Sequence, residues 1–255
     1  VQNRACFSGV REDAQGVKIY MAMVKALFFD VFGTVVDWRH SIAAEIDSFS
    51  AEKGLGLDGQ AFALAWRRRY VPAMAKIRSG ERGFTDLDTL HRENLLDVLE
   101  DFAVSGLSDA EIDHLNMVWH RLNPWPDSVP GLTRLKTKFI LATMSNGNVK
   151  LMVDMAKHGG LPWDMILGAE IAQSYKPDPE TYLAGCSMLR LAPEECMMVA
   201  AHNSDLVAAR ALGLKTAFIA RPTEYGPEQK VDFKAEHDFD VIADTMEGVA
   251  DKLGC

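Results

Sequence analysis

Short apolar runs rich in β-forming residues alternate with amphipathic helical stretches along most of the chain. Five of these runs predict buried strands and a shorter sixth predicts one more. In chain order they are residues 24–29, 139–144, 165–167 (the shorter run), 197–201, 216–220 and 239–243. Continuous apolar strands separated by helices are typical of a parallel sheet covered by helices on both faces. The pattern therefore predicts an α/β fold.

Residues 38–125 interrupt this alternation, because they carry helical patterns and no convincing strand. Three prolines, Pro124, Pro126 and Pro130, mark the return to the alternating pattern. An all-helical block directly after the first strand predicts a cap domain inserted into the α/β core. The predicted division is a flexible extension at 1–20, a core at 21–37 and 126–255, and a helical cap at 38–125.

Helix ends in the second half of the chain are marked by capping residues. Residues 148–158 predict a helix that stops at Gly159 and Gly160. Asp178 is placed to cap a helix that has Pro179 in its first turn. A third helix is predicted at 205–212, with Gly213 following its end.

The net charge of −9 and a pI near 5.3 argue against binding to nucleic acid or to an anionic membrane surface. A small anionic substrate stays open, because local positive charges can dominate inside a pocket. No apolar stretch approaches the ~20 residues that cross a bilayer. The four cysteines show no CxxC pair, which is typical of reduced thiols and predicts a cytoplasmic protein.

Asp30 follows the first predicted strand directly and precedes a turn at Gly33. Ligands of open parallel sheets bind beyond the carboxyl ends of the strands, so this carboxylate is predicted to face such a crevice. Alone, an aspartate that starts a turn would be the better explanation. Three further polar segments change that balance: Met144–Gly147 (MSNG), Lys176–Pro179 (KPDP) and Asp205.

These segments, together with Phe29–Thr34 (FDVFGT), resemble the four motifs of the haloacid dehalogenase superfamily and occur in the same order. The resemblance extends from residue 24 to the C-terminus. It implies a Rossmann-like core with an inserted helical cap, and hydrolase activity with a covalent aspartyl intermediate.

Two positions distinguish between branches of that superfamily. Its phosphatases carry a second aspartate two residues after the nucleophile, where this chain has Phe32. The earlier acid of their Mg²⁺ site would fall at Ala201, which has no ligand atom, and a hard divalent ion needs several oxygen ligands. A halide leaving group needs neither a proton nor a metal. We therefore expect no cofactor and no metal.

The resemblance to the type II (L-)2-haloacid dehalogenases implies specific catalytic roles. Asp30 would displace halide from C2 of a small 2-halo acid, and water would then hydrolyse the ester. Lys176 would hold Asp30 ionised, although a lysine in a KPDP turn is also typical of a solvent-exposed side chain. Thr34 would bond to Asp30 or cap the following segment, and Asp205 would activate or position the water. His202 stands where that family has asparagine; it would act as a general base or only replace one hydrogen bond.

Arg67 follows Trp66 directly, as in those dehalogenases, and its guanidinium suits carboxylate recognition and attraction of a leaving anion. Three consecutive arginines are also typical of a solvated helix face. The other predicted substrate-binding residues are Val31, Phe32, Ser145, Asn146 and Tyr182. Ser145 and Asn146 equally suit an ordinary turn, and Tyr182 equally suits helix packing.

Two alternatives remain open from the sequence: a Mg²⁺-dependent small-molecule phosphatase of the same superfamily, and a non-catalytic binding protein that keeps the fold. Residues 221–226 predict a surface loop without an assigned role. The resemblance alone implies preference for L-enantiomers and a homodimer. The halogen and the chain length of the substrate stay open.

Overall fold

The computed structural model describes residues 10–12, 18–20 and 23–255. The strands are β1 (Val10–Glu12), β2 (Lys18–Tyr20), β3 (Ala26–Phe29), β4 (Val36–Asp37), β5 (Asn123–Pro124), β6 (Ile140–Thr143), β7 (Cys196–Ala200), β8 (Lys215–Ile219) and β9 (Val241–Ala243). The predicted extension at 1–20 falls mostly outside the described residues. Within it, β1 and β2 pair antiparallel.

The helices alternate with the core strands or lie between β4 and β5. They are α1 (Trp38–Lys53), α2 (Gly59–Arg68), α3 (Tyr70–Arg78), α4 (Leu87–Asp101), α5 (Asp109–Asn116), α6 (Ser128–Leu135), α7 (Val149–Gly159), α8 (Ala169–Ala172), α9 (Pro179–Leu189), α10 (Asn203–Ala211) and α11 (Met246–Lys252), with 3₁₀ helices at Met117–Arg121 and Pro193–Glu195.

A five-stranded parallel sheet in the order β6-β3-β7-β8-β9 forms the centre of the molecule. Neighbouring residues of its strands belong to different apolar clusters: Leu27 and Phe29 pack on one face, Ala26 and Phe28 on the other. Burial on both faces explains why the strands are continuous apolar runs. The predicted α/β fold is therefore confirmed. The sixth predicted strand, residues 165–167, contributes only an isolated bridge from Met165 to Ala142.

The chain leaves the sheet region through β4 and returns through β5, which pair antiparallel. Between them lie α1 to α5 and a 3₁₀ helix, here called the helical segment (residues 38–121). Residues 60–77 carry one continuous helical pattern of apolar residues, but the structure divides them into α2 and α3 at Arg69. Pro72 explains the break, because proline has no N–H to donate to the carbonyl of residue 68. In the described part of the chain, no helix combines the length and apolar character needed to span a bilayer.

The helix ends differ in detail from the sequence pattern. α7 extends through Gly159, and Gly160 ends it in the left-handed region with φ 65°. α10 begins at Asn203, two residues earlier than predicted, and Gly213 follows it with φ 93°. Asp178 is the N-cap residue of α9, but its carboxylate accepts from Ser174 Oγ at 2.8 Å and from Arg78 Nε at 2.9 Å instead of capping the helix.

A buried histidine connects the helical segment to α7. His120 contacts Asp154 of α7 through Nδ1 at 2.8 Å and Asp88 of α4 through Nε2 at 3.0 Å. Asn148 also donates to Asp88 at 2.8 Å, and Lys150 pairs with Asp154. Burial lowers the pKa of His120, but the hydrogen bonds to Asp88 and Asp154 outweigh it and raise the pKa above its usual value.

Replacing His120 by glutamine is expected to lower the free energy of unfolding by about 2 kcal/mol at slightly acidic pH, since hydrogen bonds between charged groups contribute roughly 1.5–3 kcal/mol. Because the folded-state pKa is raised, this stabilisation is complete below the unfolded-state pKa and is lost as the pH rises through the folded-state pKa. Urea denaturation at a series of pH values measures both effects.

The exposed His114, which contacts Glu45, provides the matched control. His114→Gln should change stability by less than about 0.5 kcal/mol. A His120→Gln protein that lost stability with rising pH as steeply as the wild type would contradict the role of His120.

Candidate active site

The loops after three neighbouring strands and one further loop meet at the carboxyl edge of the sheet. Asp30 follows β3, Asn146 follows β6, and His202 follows β7. Lys176 lies on the loop between α8 and α9 and reaches the same edge. Because the carboxyl ends of parallel strands share one edge, residues far apart in sequence become neighbours here.

Asp30 is a buried carboxylate with three polar partners. Its Oδ1 accepts from Lys176 Nζ at 2.7 Å, and its Oδ2 accepts from Thr34 Oγ1 at 2.7 Å. His202 Nδ1 lies 3.1 Å from the same Oδ2. Burial favours the neutral acid, but Lys176 and His202 outweigh it and hold the pKa of Asp30 well below its usual range. Asp30 is therefore an ionised carboxylate.

Lys176 lies between two carboxylates, since its ammonium also donates to Asp205. Burial lowers its pKa, yet Asp205 and Asp30 outweigh burial and raise that pKa. Asp205 Oδ1 also accepts from the hydroxyl of Tyr182 at 2.6 Å. Asn146 Oδ1 accepts from the backbone N–H of Lys176 at 2.8 Å, which fixes the loop that carries the lysine.

Glu224 is a site residue that the sequence did not reveal. The surface loop predicted at 221–226 is instead partly internal, with Arg221 7% and Glu224 1% exposed. Glu224 lies 3.0 Å from His202 Nε2, and Arg221 donates to the backbone carbonyl of Thr34 at 3.0 Å. The sequence feature that could have indicated a site residue here is the position of the loop, which follows β8 at the same edge of the sheet.

A cavity of about 300 Å³ lies between the sheet edge and the helical segment. Its lining combines ionisable side chains with aromatic and aliphatic ones. They are Asp30, Phe32, Arg67, Tyr70, Val71, Met74, Arg78, Asn146, Lys176, Pro177, Tyr182, His202, Ser204, Asp205, Tyr225 and Asp232. A pocket of this size suits a small organic molecule.

Arg67 of α2 brings a cation into this cavity from the helical segment. Its guanidinium carbon lies 4.1 Å from the centre of the Tyr70 ring and 5.4 Å from that of Trp38. Its Nη1 is buried and has no hydrogen-bond partner among the described residues. Arg68 is exposed, and Arg69 pairs with Asp101. Of the three consecutive arginines, Arg67 is the one that lines this cavity.

Three of the predicted site residues lie away from the polar centre. The Val31 side chain is fully buried in the core, so only the backbone of Val31 could contact a substrate. Phe32 lines the cavity and packs edge-on against Trp119 at 5.6 Å. Ser145 lines a separate, smaller cavity, and its hydroxyl accepts from the backbone N–H of Gly147 at 3.1 Å. The structure does not bring Ser145 to the main cavity.

The arrangement does not fit the Mg²⁺ site of the superfamily's phosphatases. All four carboxylate oxygens of Asp30 and Asp205 already accept hydrogen bonds, those of Asp30 from Lys176 and Thr34 and those of Asp205 from Lys176 and Tyr182. Ala201 has no side-chain oxygen at the position where those phosphatases carry the earlier acid of their metal site. What the site presents is an ionised carboxylate and an arginine that line the same cavity, and a guanidinium can bind an anion.

Residues 24–213 match the family model of the haloacid dehalogenase-like hydrolases. The chain belongs to this family. Among solved structures it is similar to the L-2-haloacid dehalogenase PA0810, with 47% identity, a TM-score of 0.88, and coverage of 91% of this chain and 99% of that one. It is also similar to the defluorinating L-2-haloacid dehalogenase Rha0230, with 46% identity, a TM-score of 0.90, and coverage of 96% and 99%.

A curated relative, the (S)-2-haloacid dehalogenase of Xanthobacter autotrophicus, is 25% identical over 203 residues, which are 78% of this chain and 76% of the relative. The family and the Rossmann-like fold implied by the four sequence motifs are therefore confirmed.

Proposed function

We propose that this protein hydrolyses small 2-halo acids to 2-hydroxy acids through an ester formed on Asp30. The observation that carries the proposal is the ionised Asp30 carboxylate in a cavity that Arg67 also lines, with a guanidinium whose Nη1 has no hydrogen-bond partner in the described part of the chain. The similarity to L-2-haloacid dehalogenases at 46–47% identity supports the same reaction. Residues 38–125 serve as the cap over this site in the proposal.

In the first step a carboxylate oxygen of Asp30 attacks C2 of the substrate. A carbon–oxygen bond forms, the carbon–halogen bond breaks, and the halide leaves with the bonding electrons, so C2 is inverted. Lys176 and Thr34 hold Asp30 ionised and oriented. The planar guanidinium of Arg67 binds the substrate carboxylate or the departing halide.

Asn146 contributes a second anion-binding group in this scheme. Asn146 lines the cavity, and because its amide oxygen accepts from the backbone N–H of Lys176, its NH₂ group is the part that can donate to an anion. In the second step water attacks the carbonyl carbon of the Asp30 ester. Asp205 positions the water, His202 accepts its proton, and Tyr182 fixes Asp205 through its hydroxyl.

The phosphatase alternative fits the same residues poorly. An alcohol leaving group needs a proton, and the position that would supply it holds Phe32, which packs against Trp119 and has no exchangeable proton. A halide departs as a stable anion. The proposed reaction therefore proceeds without a metal.

The test measures halide release from L- and D-2-chloropropionate, chloroacetate and fluoroacetate in the presence of excess EDTA. Halide release that persists with EDTA supports metal-independent dehalogenation and gives the enantiomer and halogen preference directly. No release from any of these acids, together with Mg²⁺-dependent hydrolysis of a phosphoester, would overturn the proposal.

Substitution of Arg67 by lysine is expected to lower kcat/KM for halide release by about 10²-fold, because an ammonium cannot reproduce a planar fork and such charged contacts contribute roughly 1.5–3 kcal/mol. Steady-state kinetics measure the loss. Arg68→Lys on the same helix is the control and should behave as the wild type. Wild-type kinetics in the Arg67 variant would show that Arg67 does not bind the reacting anion.

The substrate in this proposal is a small anion, and nucleic acid and membranes are not partners. A cytoplasmic location and a homodimer stay predictions from the sequence and its resemblance. Gel filtration with light scattering measures the second directly.

A further inference from the structure

His202 lies between two carboxylates, and each of its ring nitrogens contacts one of them. Nδ1 is 3.1 Å from Asp30 Oδ2, and Nε2 is 3.0 Å from Glu224 Oε2. A carboxylate oxygen accepts hydrogen bonds, so each contact requires an N–H on the ring. A ring with two N–H groups is an imidazolium, which means that His202 carries a positive charge before substrate reacts.

Glu224 is fixed behind His202. Trp38 Nε1 donates to Glu224 Oε1 at 2.9 Å, and the backbone carbonyl of Glu224 accepts from Arg39 Nε at 3.1 Å. The carboxylate also lies against Gly33, whose φ is 83°, and a Cβ at that position would collide with it. Glu224 is not part of the cavity lining. His202 is the cavity-lining side chain that the Glu224 carboxylate contacts by hydrogen bonding.

We propose that Glu224 is a positioning residue that orients His202 and lets its protonation follow the charge on Asp30. This inference rests on the proposed dehalogenation and deepens it. The role differs from that of Lys176, which contacts the other oxygen of Asp30, Oδ1, and from that of Asp205, which contacts Lys176.

The proton balance follows from the two steps. When Asp30 becomes an ester its negative charge disappears, and the Nδ1 proton of His202 passes to solvent. His202 then keeps its Nε2 proton on Glu224 and presents a free Nδ1 lone pair toward the ester. Water gives one proton to Nδ1 while its oxygen bonds to the carbonyl carbon of Asp30.

The tetrahedral intermediate expels the alkoxide of the hydroxy acid. That alkoxide takes the remaining proton of the attacking water, and Asp30 returns as a carboxylate beside an imidazolium. The sum is one halo acid and one water converted to one hydroxy acid, one halide and one proton.

The charges that face His202 agree with this cycle. Asp30 and Glu224 contact it directly, while Lys176 contacts the other oxygen of Asp30, and Asp205 contacts Lys176. Burial lowers the pKa of His202, but Glu224 and Asp30 outweigh burial and raise it well above its usual value. Loss of the Asp30 charge removes one of the two anions, so the pKa of His202 falls when its lone pair is needed.

The experiment compares wild type with Glu224→Gln in rapid-quench turnover of L-2-chloropropionate. The expected result is a burst of about one halide per site, followed by steady turnover slowed about 10- to 100-fold, since general base catalysis contributes roughly 10²–10⁴-fold. Mass spectrometry should find the ester on Asp30. Glu228→Gln, an exposed glutamate of the same loop, is the matched control and should follow the wild type.

A second readout separates positioning from a structural effect. The rate of ester hydrolysis should rise with pH as His202 loses its proton, and Glu224→Gln should move this rise to lower pH, because removal of an anion lowers the pKa of His202. If Glu224 acts through His202 alone, Glu224→Gln should change nothing further in a His202→Asn protein.

The outcomes distinguish this inference from the proposed function. Wild-type turnover with no burst and no pH shift in Glu224→Gln would overturn the inference alone. An equal loss of halide release and ester hydrolysis, or additive effects with His202→Asn, would also overturn it. No halide from the wild type would overturn the proposed function, and this inference with it.

Discussion

An Asp30→Ala protein is expected to lose halide release by at least about 10⁴-fold, because removal of a covalent nucleophile eliminates the only route through the ester. Rates measured with an ion-selective electrode give the loss. Asp97→Ala, which removes an exposed carboxylate of α4, is the control and should retain wild-type rates.

The charges around position 30 predict that this variant stays folded. Lys176 keeps its contact with Asp205, and His202 keeps its contact with Glu224. Neither cation is left without a partner, so the loss of activity can be separated from unfolding by circular dichroism. Appreciable turnover by a folded Asp30→Ala protein would remove Asp30 as the nucleophile.

Lys176→Met is expected to have the second largest effect, and it should affect both activity and stability. Asp30 and Asp205 would then lose the cation between them, and breaking a buried ion pair costs about 3–5 kcal/mol in free energy of unfolding. Turnover should fall by about 10³-fold, because loss of the Lys176 charge raises the pKa of Asp30, and a protonated Asp30 cannot attack the substrate.

The pH dependence gives the sign of this effect. Because the pKa of Asp30 is lowered in the folded protein, its stabilisation exists above the unfolded-state pKa and is lost as the pH falls through the folded-state pKa. Without Lys176 the folded-state pKa rises, so both activity and stability should begin to fall at a higher pH than in the wild type.

Urea denaturation and initial rates over a pH series check both effects. Lys157→Met, on the exposed side of α7, is the control and should not shift either profile. An unshifted acid limb in Lys176→Met would show that Lys176 does not control ionisation of Asp30.

The sheet could be predicted from sequence because its strands are buried on both faces. Residues such as Leu27 and Phe28 point to opposite faces, yet both are apolar, so the strand is a continuous run. The break at Arg69 was less visible, because Pro72 interrupts a helix without disturbing the apolar period that continues from α2 into α3. Local periodicity does not reveal such a break.

The polar centre could be predicted where a motif joined residue type to position, as for Asp30, Lys176 and Asp205. Ser145 shows the limit of that reasoning, since a one-residue step in the turn after β6 directs it into a different cavity from Asn146. Glu224 was missed because its burial depends on contacts with Trp38 and His202, which are 186 and 22 residues away. No local pattern records those contacts.

Trp38 is the first residue of α1, where the chain passes from the sheet region into the helical segment. Its indole N–H holds Glu224, and the guanidinium of Arg67 lies over its ring. One rigid side chain therefore contacts both the proposed anion-binding residue, Arg67, and the residue proposed to orient His202, Glu224. Substrate binding and ester hydrolysis would then both depend on the Trp38 side chain. A substitution at position 38 should therefore change apparent substrate affinity and turnover together rather than one at a time.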